Sequence, residues 1–268
     1  MSVELRQRTF GELVGQCFSL AVSHFPRLFV IIGLFGLPSL FTQILVLPIT
    51  HPEVPHGPVT PGSLARALEL QSLAALLLLL VTLTLAPLQQ AASILFVASS
   101  FTGEKSTIGS SLRVAARKFF SLLGLSFALT LVFTVGILLL VVPGIMFFTW
   151  FYVAAPLMVI EDLSVRDAMG RSRELSSGWR WSILGFLIVT TLLVAAVNGA
   201  IDAVLTAAVG DGLGSILVSY VFGVALSTIS VVAPVVFYFQ LRVVKEALDV
   251  ESLSSLVDAI AARAGAKS

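Results

Sequence analysis

Polar and apolar positions along the chain fall into long blocks rather than alternating. Uncharged, largely apolar runs cover residues 28–50, 70–102, 119–142, 144–160, 181–201 and 212–241. A helix rising 1.5 Å per residue needs about 20 residues to cross a hydrocarbon core of roughly 30 Å. Five runs are long enough. The fourth is marginal and reads as a short or broken helix. The pattern predicts an all-α, polytopic membrane protein of one integral domain with six transmembrane helices. These are expected at about 28–50, 72–98, 119–142, 144–160, 181–207 and 213–241, followed by a cytoplasmic tail at 242–268.

A second, shorter pattern precedes each odd-numbered span. Apolar residues recur at helical spacing at about 9–23 (Phe10, Leu13, Val14, Cys17, Ala21), 107–118 (Ile108, Leu112, Ala115) and 164–177 (Val165, Ala168, Met169, Leu175). Such stripes predict amphipathic helices lying on the cytoplasmic interface. Thr9 with Glu12 and Ser164 with Asp167 have the spacing of N-terminal caps.

Charge then orients the bundle. With the N-terminus inside, fifteen of the sixteen Lys and Arg residues face the cytoplasm and only Arg66 lies outside. Lys and Arg resist translocation, so this asymmetry places both termini in the cytoplasm. The first apolar run starts after Arg27 and exceeds the roughly 7–15 residues of a signal-peptide core, so it reads as a retained span. Composition agrees: 57% of residues are apolar and 12% charged, against about 25% charged in soluble domains. A nucleic-acid binder would show a basic face on a soluble fold and is excluded. One cysteine, Cys17, gives no intramolecular disulfide and reads as an apolar packing residue.

The outer connections are two tight turns, Val142-Pro143-Gly144 and Val209 to Gly212, and a proline-rich loop from His51 to about Glu69 that turns helical from Ser63. The chain also hints at threefold repetition. Each unit has an interfacial helix and then a span with an early glycine (Gly33, Gly124, Gly185). A returning span follows with an Ala-Pro step, at Pro87, Pro156 and Pro234. Proline removes one helical hydrogen bond, so kinks are expected there, with freed carbonyls near Leu83, Tyr152 and Ser230. Either these are packing kinks or they converge on a ligand cavity. Ser215, Ser219, Gly223 and Ser227 recur every fourth residue, a stripe that suits close helix contact.

Candidate chemistry is sparse. His51-Pro-Glu53-Val-Pro-His56 lacks the helical spacing of a zinc motif, so no metal site is expected. No ionisable residue sits at mid-span, which argues against a proton-driven transporter. Gln89, Gln90, Asn198 and Asp202 are the candidates to line a cavity. The densest polar set is cytoplasmic: Glu161, Arg171, Arg173, Trp179 and Arg180, joined by Tyr238, Arg242 and Glu246 at i, i+4 spacing. It suits contact with anionic lipid headgroups or a partner, or else a salt-bridge network. The tail carries an amphipathic pattern (Leu253, Leu256, Val257, Ile260) that can rest on the bilayer or dock a protein partner.

Pro143-Gly-Ile, Trp150, Pro156-Leu-Met-Val-Ile-Glu161, Ala168, Arg171-Ser172, Leu175, Gly178-Trp179 and the ending Tyr238-Phe-Gln-Leu-Arg242 resemble the membrane-domain family associated with bacterial glycerophosphodiester phosphodiesterases. The resemblance covers the membrane part alone. It implies a bacterial inner-membrane protein, uses no catalytic residue or cofactor, and argues against an enzyme. The expectation is a non-catalytic scaffold or lipid-interacting accessory in envelope or lipid metabolism. The alternative is a small channel, facilitator or lipid-translocating transporter. A transporter should have a polar path to both faces, and a scaffold should pack shut.

Overall fold

The computed structural model describes residues 9–50, 61–102, 108–139, 141–210 and 212–246. The described residues form helices without strands: α1 (Phe10–Ser23), α2 (Phe25–Thr50), α3 (Pro61–Thr102), α4 (Ile108–Arg117), α5 (Phe119–Leu139), α6 (Val141–Trp150), α7 (Ala154–Ile160), α8 (Val165–Leu175), α9 (Arg180–Val209) and α10 (Leu213–Glu246). Five of them, α2, α3, α5, α9 and α10, are long and apolar enough to cross a membrane. The build is that of a multi-pass membrane protein. His51, Glu53 and His56, the start of the proline-rich loop, and the tail beyond Glu246 lie outside the described residues.

The fourth apolar run is indeed a broken helix. Proline cannot donate to the carbonyl four residues back, and the turn at 151–153 separates α6 from α7, leaving Pro156 in the first turn of α7. Pro87 and Pro234, by contrast, sit inside the continuous helices α3 and α10. The expected turn at Val142-Pro143-Gly144 is corrected. Helix α6 already begins at Val141, because a proline in the first turn loses no intrahelical bond. The α5–α6 hairpin closes instead through glycines: a Cβ on Gly136 would fall 2.8 Å from Gly144 Cα. The turn after α9 stands as expected, with Gly210 at φ 75° and its N–H donating to the Thr206 carbonyl.

The short helices occur where the stripes placed them. Thr9 caps α1, its N–H donating to Glu12 Oε2 at 2.8 Å, and Ser164 Oγ accepts the Asp167 N–H at 3.3 Å on α8. Helix α1 buries Leu13, Cys17, Leu20 and Ala21, and burial pushes the Cys17 thiol up to about 12. That suits the packing role.

The five long helices and α6 close a ring. Helix α2 packs on α3, α3 on α5, α5 on α6, α6 on α9, α9 on α10, and α10 returns to α2. Helices α3, α7 and α10 touch one another inside it. Helix α1 rests on α10 and α2, α4 on α3 and α5, and α8 chiefly on α7. Tyr220 on α10 donates its hydroxyl to the Gly33 carbonyl of α2. A Cβ at Gly36 would meet that hydroxyl at 2.7 Å. Gly223, however, has open space beside it, so the small-residue stripe on α10 is not a close seam at that position.

Burial is uneven along the bundle. Residues 91–98 of α3, all of α7, and 232–241 of α10 are buried, at the end where the short helices and Arg27, Lys118, Arg180 and Arg242 gather. Elsewhere large apolar side chains face outward, among them Leu73, Leu80, Phe127, Leu192 and Phe222. Water would not tolerate so much continuous apolar surface; lipid would.

Candidate functional site

At the basic end, five of the eight residues singled out as a cytoplasmic cluster meet in one network. Glu161 follows the last turn of α7 with its side chain only 9% exposed. A carboxylate at a helix C-terminus opposes the helix dipole, so it needs cations. Arg171 Nε from α8 lies 3.2 Å from its Oε2, and Arg242 Nη1 from α10 lies 3.3 Å from its Oε1. Tyr238 donates to Oε1 at 2.8 Å and accepts from Arg242 at 3.1 Å. Glu246 completes the set, taking Arg242 Nε at 2.7 Å and Arg171 Nη2 at 3.1 Å. Two carboxylates thus answer two guanidiniums. Lys118 adds a brace, donating to the Met158 carbonyl at 3.1 Å and pairing with Asp162. Asp162 itself sits at φ 63°, a conformation that Asp tolerates better than most residues.

The other three residues lie elsewhere. Arg173 and Arg180 flank the indole of Trp150, with guanidinium carbons 4.7 and 5.0 Å from the ring. Trp179 packs against the core beside the start of α9. Trp150 ends α6, and its carbonyl would be orphaned by the break. Ser172 Oγ donates to it at 2.8 Å and Ser176 Oγ reaches it at 3.4 Å. So α8 is held under the broken helix by its serines, which brings Arg173 to the ring. Among the described residues no carboxylate pairs with Arg173 or Arg180. Among the described residues Trp150 Nε1 and Arg180 Nε are buried donors without a hydrogen-bond acceptor, as is Arg171 Nε, although Arg171 still has its ion pairs with Glu161 and Glu246. Buried donors are normally satisfied, so these orphans are exceptions within the chain's own hydrogen bonding.

Beside the same break lies a cavity of about 470 Å³, within the roughly 300–1,000 Å³ usual for ligand sites. Leu83, Tyr152 and Ser230, where freed carbonyls were expected, all line it, with Pro87 and Pro234. The ring faces of Phe133, Phe147, Phe148, Phe151 and Phe186 make it largely apolar. Gln90 reaches it; the other three cavity candidates do not. Gln89 is half-buried outside the lining. Asn198 Nδ2 donates to the Val194 carbonyl at 3.0 Å, and Asp202 accepts from Ser219 at 2.6 Å, tying α9 to α10. Both sit two or more turns beyond Thr190 and Thr191, the last α9 residues in the wall.

Sequence reasoning missed Ser172 and Ser176, and the hydroxyls of Thr82, Ser126, Thr130, Thr190 and Thr191 around the cavity. Ala168, Ser172 and Ser176 do share one helical face, a small-residue signal that pointed to close approach on α8. No family model, curated protein or solved structure matches this chain, so the likeness to the phosphodiesterase-associated membrane family stays an expectation.

Proposed function

We propose that this is a non-catalytic membrane protein that binds an anionic lipid headgroup at its basic end. The observation that carries the reading is the uncompensated pair Arg173 and Arg180 on Trp150, with two buried donors and no carboxylate among the described residues. Basic residues near the bilayer surface attract anionic headgroups by about 1 kcal/mol each. The basic end is then cytoplasmic, both termini lie inside, and α6 with α7 serves as a short sixth span in a bacterial inner membrane. The packing order supports a threefold plan of interfacial helix plus hairpin. Phe10 opens α1 against Gly185, and Val165 opens α8 against Gly124, each near 3.8 Å from where a Cβ would stand. The cavity favours binding over passage, because behind its α3, α7 and α10 walls residues 91–98, 157–160 and 235–241 are buried.

Native mass spectrometry of protein gently extracted from bacterial membranes tests the reading. The protein should retain a phosphatidylglycerol or cardiolipin. Arg173→Gln with Arg180→Gln should lower retention roughly 20- to 30-fold. A lipid-free wild-type protein, or unchanged retention in the double variant, would overturn it.

A further inference from the structure

We infer that the bound lipid places a hydrocarbon chain in the cavity at the proline steps while its phosphate sits on Arg173 and Arg180. This rests on the headgroup reading above and adds an occupant for the cavity. The two places share walls. Phe147 lines the cavity and packs edge-on against the Trp150 indole, 5.1 Å between centroids. Phe151, the residue after Trp150, lines it as well. Helix α9 joins them from the other side. Arg180 opens the helix, and Phe186 and Leu187 are in the cavity wall, about 9 to 10.5 Å further along at 1.5 Å per residue. That separation suits the stretch between a lipid phosphate and the start of its chain.

The wall chemistry selects the same ligand. Five phenylalanines and the leucines at 83, 129 and 187 offer an apolar seat. Of the hydroxyls on the wall, that of Thr190 is turned back to the Phe186 carbonyl at 2.7 Å. No described Asp, Glu, Lys, Arg or His lines the cavity, so it has nothing to hold a charged solute. The break at 151–153 therefore serves both ends of one amphiphile. It exposes the α6 terminus to α8, which carries Arg173, and it bends the chain away to leave the cavity.

The test uses the full chain in vesicles containing phosphatidylglycerol with a photoreactive diazirine at mid-chain, and phosphatidylcholine with the same chain as control. Labelling mapped by mass spectrometry should concentrate on Phe133, Phe147, Phe151 and Leu187, and should be several-fold weaker with phosphatidylcholine. Ser230→Phe on α10 and Thr82→Phe on α3 should each displace it. Labels confined to outward residues such as Phe120, Phe127 and Leu192 would overturn the chain seat, and so would equal labelling by both lipids. Loss of anionic-lipid retention in Arg173→Gln/Arg180→Gln, with cavity labels absent in the wild type, would leave the headgroup reading standing and the chain seat refuted. The wild-type map needs no variant to fold.

Discussion

Arg171 and Arg173 are two residues apart on α8, yet they sit in opposite electrostatic situations. Two residues turn a helix by about 200°, so one guanidinium reaches Glu161 and Glu246 and the other reaches Trp150. The first belongs to a balanced set in which Glu161 accepts from Tyr238 and pairs with two arginines. The second, with Arg180, has an aromatic face and no carboxylate among the described residues. A basic cluster on a membrane protein is thus not one surface. Part of it is committed to holding α7, α8 and α10 together, and part is left for something outside the chain. Changing Arg171 and Arg173 together would confuse the two roles.

Removing Glu161 should separate them most sharply. Glu161→Ala leaves the Tyr238 hydroxyl without its carboxylate acceptor and takes one of two carboxylates from Arg242, 13% exposed. Breaking a buried pair from one side costs about 3 kcal/mol or more, so thermal unfolding in mild detergent should shift down by several degrees. Arg173→Gln in the lipid-free protein should barely move it. Equal shifts in the two variants would end the distinction. Tyr238→Phe is the gentler version. It keeps both charges and removes the hydroxyl that bridges them, which should cost about 1–2 kcal/mol by the same measurement. Lipid retention should stay as in the wild type. If retention falls with Tyr238→Phe, the clasp belongs to the binding site after all.

Much of this was legible in the chain because its signals are one-dimensional. Apolar run length gave the five long helices, and the Thr9–Glu12 and Ser164–Asp167 spacings gave two helix starts. Proline positions located the cavity, since the residues four before Pro87, Pro156 and Pro234 are all in its wall. The i, i+4 spacing of Tyr238, Arg242 and Glu246 put three members of the clasp on one face. What escaped is what depends on partners far apart in sequence. Arg173 and Arg180 looked like neighbours of Arg171, and only the break after Trp150 shows what they face. Asp202 read as a cavity-lining residue, but Ser219 on the next helix takes it. The Pro143 turn misled because proline suits a helix start as well as a turn, and the Gly136–Gly144 contact that decides the matter is invisible until the hairpin closes.

The finest division between the two regions runs through Ser172, which touches neither carboxylate nor guanidinium. Its hydroxyl donates to the Trp150 carbonyl at 2.8 Å, and the longer contact from Ser176 remains when it is lost. Ser172→Ala should therefore cost about 1 kcal/mol, less than either clasp variant. Its informative consequence is local. The α6 terminus would loosen against α8, and the indole would drift from Arg173. In a Trp179→Phe/Trp181→Phe background, where Trp150 alone emits, the spectrum should shift and anionic-lipid retention should fall while the clasp stays closed. A stability loss with an unmoved spectrum and full retention would assign Ser172 to the fold alone. The arginine pair would then be set by its own stacking on Trp150 rather than by the serine beneath it.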